Sequence, residues 1–282
     1  MTQLMPVLFI GHGSPMNALE DNRFTRQWRE LGAALPKPKA IVVVSAHWLT
    51  AGTHVTSNAQ PKTIHDFGGF PRALFQVQYP ARGDPGLART IGGLLQEPSS
   101  SSSSSEPLSE DWGLDHGTWS FLKHMRPEAD VPVLQVSIDP RLPPARHLEI
   151  GASLAPLREQ GVLLIASGNV THNLRRVDPR AGATDDATVS WAARFDGDVA
   201  AALIDRDQGF LTRALETADG REAHPSNDHW LPLLYAKGAS DDDDDDVSFP
   251  VRGFDLGSFS MRAVLYQPRP TGGASTSTPP SS

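Results

Sequence analysis

The sequence predicts an α/β fold, a single domain with a mostly parallel central sheet flanked by helices. Three observations carry this prediction. Short continuous apolar runs rich in Val and Ile recur along the chain, as strands covered on both faces require. Segments with apolar residues at helical spacing alternate with those runs. The 282 residues are 39% hydrophobic and 21% charged, the balance of a globular chain long enough to bury a large core.

The first strand is PVLFI (6–10) and the second AIVVVSAHW (40–48). Between them Phe24, Trp28 and Leu31 fall on one helical face, and Gly32 or Pro36 stops the pattern. Asp84 before Pro85 reads as an N-cap and first helical residue, with Leu87, Ile91, Leu94 and Leu95 as the buried stripe. A strand at VPVLQVSI (131–138), a helix over 143–160 ended by Gly161 and a strand at VLLIASG (162–168) follow. Helices are expected over 188–204, 209–217 and 226–236. The alternating SFSMRAVLY (258–266) closes the chain as a strand with one polar face.

Three segments stand outside this alternation. Seven serines at 99–105 and six aspartates at 241–246 read as low-complexity loops. The tail over 269–282 is too polar and too rich in Pro, Gly and Ser to pack, which leaves 1–268 as the domain. The Asp run lacks the spaced ligands and turn glycine of a calcium loop, and its charges repel, so it is expected to be solvated.

Composition narrows the function classes. Cysteine is absent, so disulfides, thiolate metal sites and cysteine nucleophiles are excluded, and a transition metal must be held by His, Asp or Glu. The net charge is −8, but six of the negative charges sit in Asp241–Asp246, which leaves no basic footprint for nucleic acid. No apolar run approaches the roughly 20 residues of a membrane span. The stretch MTQLMPVLFIGHG has neither the basic region nor the cleavage site of an export signal, so a cytoplasmic protein is expected.

The stretch LFIGHGSP (8–15) places His12 between two glycines directly after a strand. A phosphate loop would need more glycines and a lysine, and a serine nucleophile elbow would need another register around Ser14. His47 follows IVVVSA and His172 follows LLIASGNVT, again at strand ends. His116 lies in WGLDHGTW, a loop flanked by glycine. In open α/β sheets the ligand crevice lies outside the C-terminal ends of the strands, so residues distant in sequence converge there. Histidines gathered at such an edge point to a metal site. EAHPSNDHWLPLLY (222–235) adds His224 and His229, which at about 100° per residue would point some 140° apart on a helix. His229, beside Asp228, is the better ligand, whereas His224 is either a pocket wall or an ordinary loop residue. In TIHDFGGFP, His65 and Phe67 are candidates for substrate contact because aromatics and glycines together suit a pocket lid. His124 and His147 sit on helix patterns and His54 alternates with polar neighbours, and all three are expected at the surface.

Taken together, GHGSPMNALED, VVVSAHW, TIHDFGGFP, WGLDHGTW, SGNVTHNL and DHWLPLLY resemble the class III extradiol ring-cleavage dioxygenases of the 4,5-DOPA type. The resemblance spans roughly residues 5 to 267. It implies an active site at the strand C-terminal ends, holding a non-haem Fe(II), or Zn(II) as another bound form, with His12, His47 and His229 as ligands. It implies His172 either as a fourth ligand or as an acid–base residue, and His116 as the other acid–base group. The substrates it implies are a catechol, DOPA or a relative, and O₂. More distant class III enzymes use two histidines and a carboxylate, so His229 as third ligand makes this site more positive. Two other readings of the same histidines stay open: a zinc hydrolase acting through metal-activated water, and a non-catalytic protein that binds metal or small aromatics.

Overall fold

The computed structural model describes residues 4–96, 107–185 and 188–269. The serine run at 99–105 and all of the tail except Arg269 lie outside the described residues. Strand β1 is Val7–Gly11, helix α1 is Arg23–Ala34 and strand β2 is Ala40–Leu49. Two-residue strands β3 (Val55–Thr56) and β4 (Leu108–Ser109) flank α2 (Pro85–Leu95). Next come α3 (His116–Met125), β5 (Val133–Ile138), α4 (Pro144–Leu154) and β6 (Val162–Gly168). Four helices follow: α5 (Ser190–Ile204), α6 (Gln208–Arg213), α7 (Ala218–Ala223) and α8 (Leu231–Ala239). The chain closes with β7 (Asp245–Val251), the pair β8 (Phe254–Asp255) and β9 (Phe259–Ser260), and β10 (Ala263–Pro268).

The sheet runs β4-β3-β5-β2-β6-β1-β10-β7. Its centre, β5-β2-β6-β1, is parallel, and β10 and β7 join one edge antiparallel. Alternation along the central strands splits the core in two. Val7, Phe9, Val42, Val44, Leu164 and Ala166 face α4, α5 and α8. Leu8, Ile10, Ile41, Val43, Leu163 and Ile165 face α1 and α3. Burial on both faces is why these strands read as unbroken apolar runs. Among the described residues, no helix is long and apolar enough to cross a membrane.

Local chemistry sets the boundaries. Asn22 caps α1 through a reciprocal bond with Thr25, and Asp84 caps α2 by accepting from the Leu87 N–H at 2.9 Å. Gly161 ends the turn after α4 with φ +84°, a left-handed conformation that glycine adopts without strain. In α3 the sequence marks a helix pattern only around His124, and the helix begins earlier, at His116, with nearly all of its residues buried.

Three expectations need correction. SFSMRAVLY (258–266) is not one strand with a polar face, since β9 pairs with β8 in a separate small sheet, β10 joins the main sheet, and residues 258–266 are all buried. The Asp run is not wholly solvated, since its last two residues begin edge strand β7 and Asp245 is buried against Arg158, which donates two bonds at 2.9 and 2.7 Å. His147 is fully buried rather than at the surface, with Nδ1 3.2 Å from the Tyr235 hydroxyl and Nε2 3.3 Å from the Leu142 carbonyl.

Candidate active site

The C-terminal ends of β1, β2 and β6 open into one cavity of about 560 Å³. His12 comes first after β1, and its backbone N–H donates to the Gly168 carbonyl at the end of β6 (3.1 Å). The following glycine, Gly13, has φ +61°, and a Cβ there would strike the Met261 side chain. His47 sits where β2 leaves its regular pairing with β5, for the register shifts between Val44 and Leu49. Such an irregularity re-aims side chains beside a site. His229 precedes α8, with its carbonyl held by the Asn169 N–H at 3.0 Å. A side chain at Gly168 would strike that same carbonyl, so glycine here lets the turn close on the sheet.

Each of these three imidazoles has Nδ1 engaged by a protein partner. Ser167 donates its hydroxyl to the Gly117 carbonyl, so its oxygen accepts from His12 Nδ1 at 3.0 Å. Asp66 accepts from His47 Nδ1 at 3.2 Å, and Asp228 accepts from His229 Nδ1. A proton fixed on Nδ1 leaves a lone pair on Nε2. The three Nε2 lone pairs converge. Those of His12 and His47 are 3.1 Å apart, the buried Nε2 of His229 has no hydrogen-bond partner, and ligand atoms of all three lie within 4.8 Å of one another. Facing lone pairs repel unless a cation lies between them, so this donor set fits a metal ion. Burial, then the neighbouring imidazoles, hold His12 and His229 well below the ordinary histidine pKa.

His116 arrives differently, as the first residue of α3 rather than at a strand end. Its backbone N–H and its Nδ1 both lie 2.9 Å from Asp66, and its Nε2 has no partner among the described residues. Gly117 lets α3 start against β2, since a Cβ there would meet Ser45 Oγ at 2.7 Å and His47 at 2.8 Å. Burial pushes the Asp66 carboxyl up, but hydrogen bonds from His116 and His47 outweigh it and hold it far below the usual carboxylate range. Burial likewise pulls His47 down, yet Asp66 and the nearby Asp115 outweigh it and leave it raised. His116 is lowered, chiefly by burial and then by His47.

His172 lines the same cavity and stacks on His229, with centroids 3.5 Å apart and planes 2° from parallel. An imidazole lone pair lies in its ring plane, and two parallel planes do not meet at one ion. Burial, then His224, lowers its pKa to about 3. Phe67, Phe70 and Phe259 supply apolar wall. The other two sequence candidates lie outside the wall. His65 turns away, with Nε2 2.9 Å from the Val77 carbonyl and its ring beside Trp119. His224 packs between Phe195 and Trp230, with Nε2 2.8 Å from the Val170 carbonyl.

Besides the wall residues Phe70 and Phe259, sequence reasoning missed Asp66 and Arg175. Asp66 lies between the two lid candidates His65 and Phe67, and no spacing marks it. Arg175 is the only Lys or Arg lining the cavity, and its guanidinium has no partner among the described residues. It stands next to Arg176, which pairs with Glu222, so sequence could not tell the free cation from the paired one.

The chain is 48% identical to the 4,5-DOPA dioxygenase extradiol of Escherichia coli (strain K12), over 92% of this chain and 94% of that one. The Beta vulgaris protein of the same name is 39% identical over 82% of this chain and 85% of its own. A crystal structure of an uncharacterized Escherichia coli K12 protein superposes with TM-score 0.77 at 43% identity, covering 93% of this chain and 99% of that one. A model of the catalytic LigB subunit of aromatic ring-opening dioxygenase matches residues 6–261, the span that holds every strand and histidine described above except β10. The chain belongs to the LigB family of aromatic ring-opening dioxygenases.

Proposed function

We propose that this protein opens a catechol ring beside its diol with O₂, by 4,5-cleavage of DOPA or a related catechol, on a metal ion held by His12, His47 and His229. The convergence of three otherwise unpartnered Nε2 lone pairs in a phenylalanine-walled cavity carries the reading. The names of the Escherichia coli and Beta vulgaris relatives support the substrate. Fe(II) would supply redox chemistry and adjacent positions for the diol and O₂, whereas Zn(II) fits the same donors without redox chemistry.

The chain's own residues supply the rest. His116, with Nδ1 tied to Asp66, has Nε2 free to take a catechol proton, and the Asp66 carboxylate stabilises the resulting imidazolium. His172 faces the cavity from the other wall and serves as the second acid–base group rather than as a fourth ligand, because its ring is parallel to that of His229. Phe67, Phe70 and Phe259 exclude water from the ring, and Arg175 meets a side-chain carboxylate by a charge-assisted bond.

The test is anaerobic reconstitution with Fe(II), then oxygen uptake on a panel of DOPA, protocatechuate and catechols without a carboxylate. Oxygen consumption with DOPA and a yellow ring-opened product are expected, with higher kcat/KM for the carboxylated substrates. An iron-loaded protein that consumes no oxygen with any catechol would overturn the reading, and ester or amide turnover under nitrogen would put a zinc hydrolase in its place.

A further inference from the structure

We propose that Asp66 is a positioning residue that sets the ring tautomer of two histidines at once, His47 on the metal side of the cavity and His116 on the substrate side. The roles of those two histidines rest on the function proposed above, but the hydrogen-bond geometry does not. One carboxylate oxygen, Asp66 Oδ2, lies 3.2 Å from His47 Nδ1 and 2.9 Å from His116 Nδ1. The other, Oδ1, accepts from the His116 backbone N–H at 2.9 Å. The two rings are in contact, with centroids 3.9 Å apart.

A carboxylate only accepts hydrogen bonds. Both imidazoles must therefore present Nδ1–H to it, which leaves both with a lone pair on Nε2. His47 needs that lone pair to bind a cation, and His116 needs it to receive a proton. A neutral histidine without this anchor is free to place its proton on Nε2 and lose either ability.

Asp66 is itself held firmly. The loop before it is pinned by the Leu114 N–H to Lys62 carbonyl and the Ile64 N–H to Leu114 carbonyl bonds, both 2.7 Å. Trp119 Nε1 donates to the Ile64 carbonyl at 2.8 Å. Asp115, a fully buried carboxylate nearby, cannot substitute for it. The Asp115 oxygens are taken by Ser45 (2.7 Å), Gln135 (2.6 Å) and Trp112 (3.2 Å).

Asp66→Asn separates charge and shape. Its single carbonyl cannot face both imidazole N–H groups and the His116 backbone N–H, so one side meets an amide donor. Two measurements on the full chain test the proposal without any catechol. The first is zinc affinity by competition with a chromophoric chelator, where Asp66→Asn is expected to bind about 10 to 100-fold more weakly, the usual effect of removing such a partner. The second is ¹⁵N-histidine NMR of the metal-free and zinc-loaded wild type, in which His116 and His47 should both carry the proton on Nδ1. In Asp66→Ala, which leaves no acceptor in the place of Oδ2, those signals should move toward Nε2 protonation or a mixture. A wild-type His116 protonated on Nε2 overturns the proposal even if the variant does not fold. Unchanged zinc affinity with unchanged tautomers in a folded variant overturns it too. Absence of catechol turnover, with both results as expected, removes only the function proposed above.

Discussion

His12, His47 and His229 each commit one ring nitrogen to a protein partner and keep the other free, and this separates them from His147, whose two nitrogens are both within reach of Tyr235 and Leu142. His116 belongs with the first group by its bonds but lies outside the three-histidine set. His116→Ala should therefore retain a stoichiometric metal ion while kcat falls about 10² to 10⁴-fold, the usual contribution of a general acid–base group. Metal content and turnover measured on the same preparation check this, and loss of the metal would place His116 among the ligands. At this scale the sequence was informative where a histidine directly followed a strand, since the strand end fixes its position. It was uninformative for His65 and His224, because spacing within a loop does not say which way a side chain turns. Asp66 escaped notice for the same reason.

The aspartate run shows how an element can divide a composition pattern. Like charges in sequence suggested one solvated loop. Instead, Lys237 reaches Asp242 at 2.6 Å and Arg158 reaches Asp245 beneath the edge of the sheet, while Asp243 and Asp244 remain exposed. Lys237 on α8 is only five residues from Asp242, but Arg158, after α4, lies far from Asp245 in sequence, so no local reading could find that buried pair. Removing one member of a buried ion pair leaves the other charge uncompensated, at a cost of about 3–5 kcal/mol. Asp245→Ala should therefore destabilise the protein by that order in urea denaturation. Asp243→Asn and Asp244→Asn should stay within about 0.5 kcal/mol, as exposed substitutions do. Equal effects at all three positions would return the whole run to the solvated class. The βα alternation itself was legible because burial on both faces writes strands as apolar blocks, while the start of α3 read as a loop because Gly113 and Gly117 flank His116.

Across the whole molecule, the proposed metal site exists only when the sheet is assembled. His12 follows β1, His47 lies on β2 and His229 precedes α8, so in an unfolded chain their imidazoles are scattered. An ion that binds the assembled set and not the scattered one stabilises the folded state by mass action, about 2.7 kcal/mol when its concentration is one hundred times its Kd. For a domain of roughly this size, each kcal/mol shifts the melting temperature by about 2–4 °C. Saturating Zn(II) should thus raise the melting temperature by about 5–10 °C, and a chelator should reverse the change. His12→Ala removes one of the three converging lone pairs without opening the strand cores, because His12 lines the cavity. Its metal-free form should melt close to the metal-free wild type, yet gain little from the same Zn(II) concentration. A full zinc-dependent shift in His12→Ala would mean that the stabilising ion sits elsewhere. The group His47–Asp66–His116 would then be the place to look.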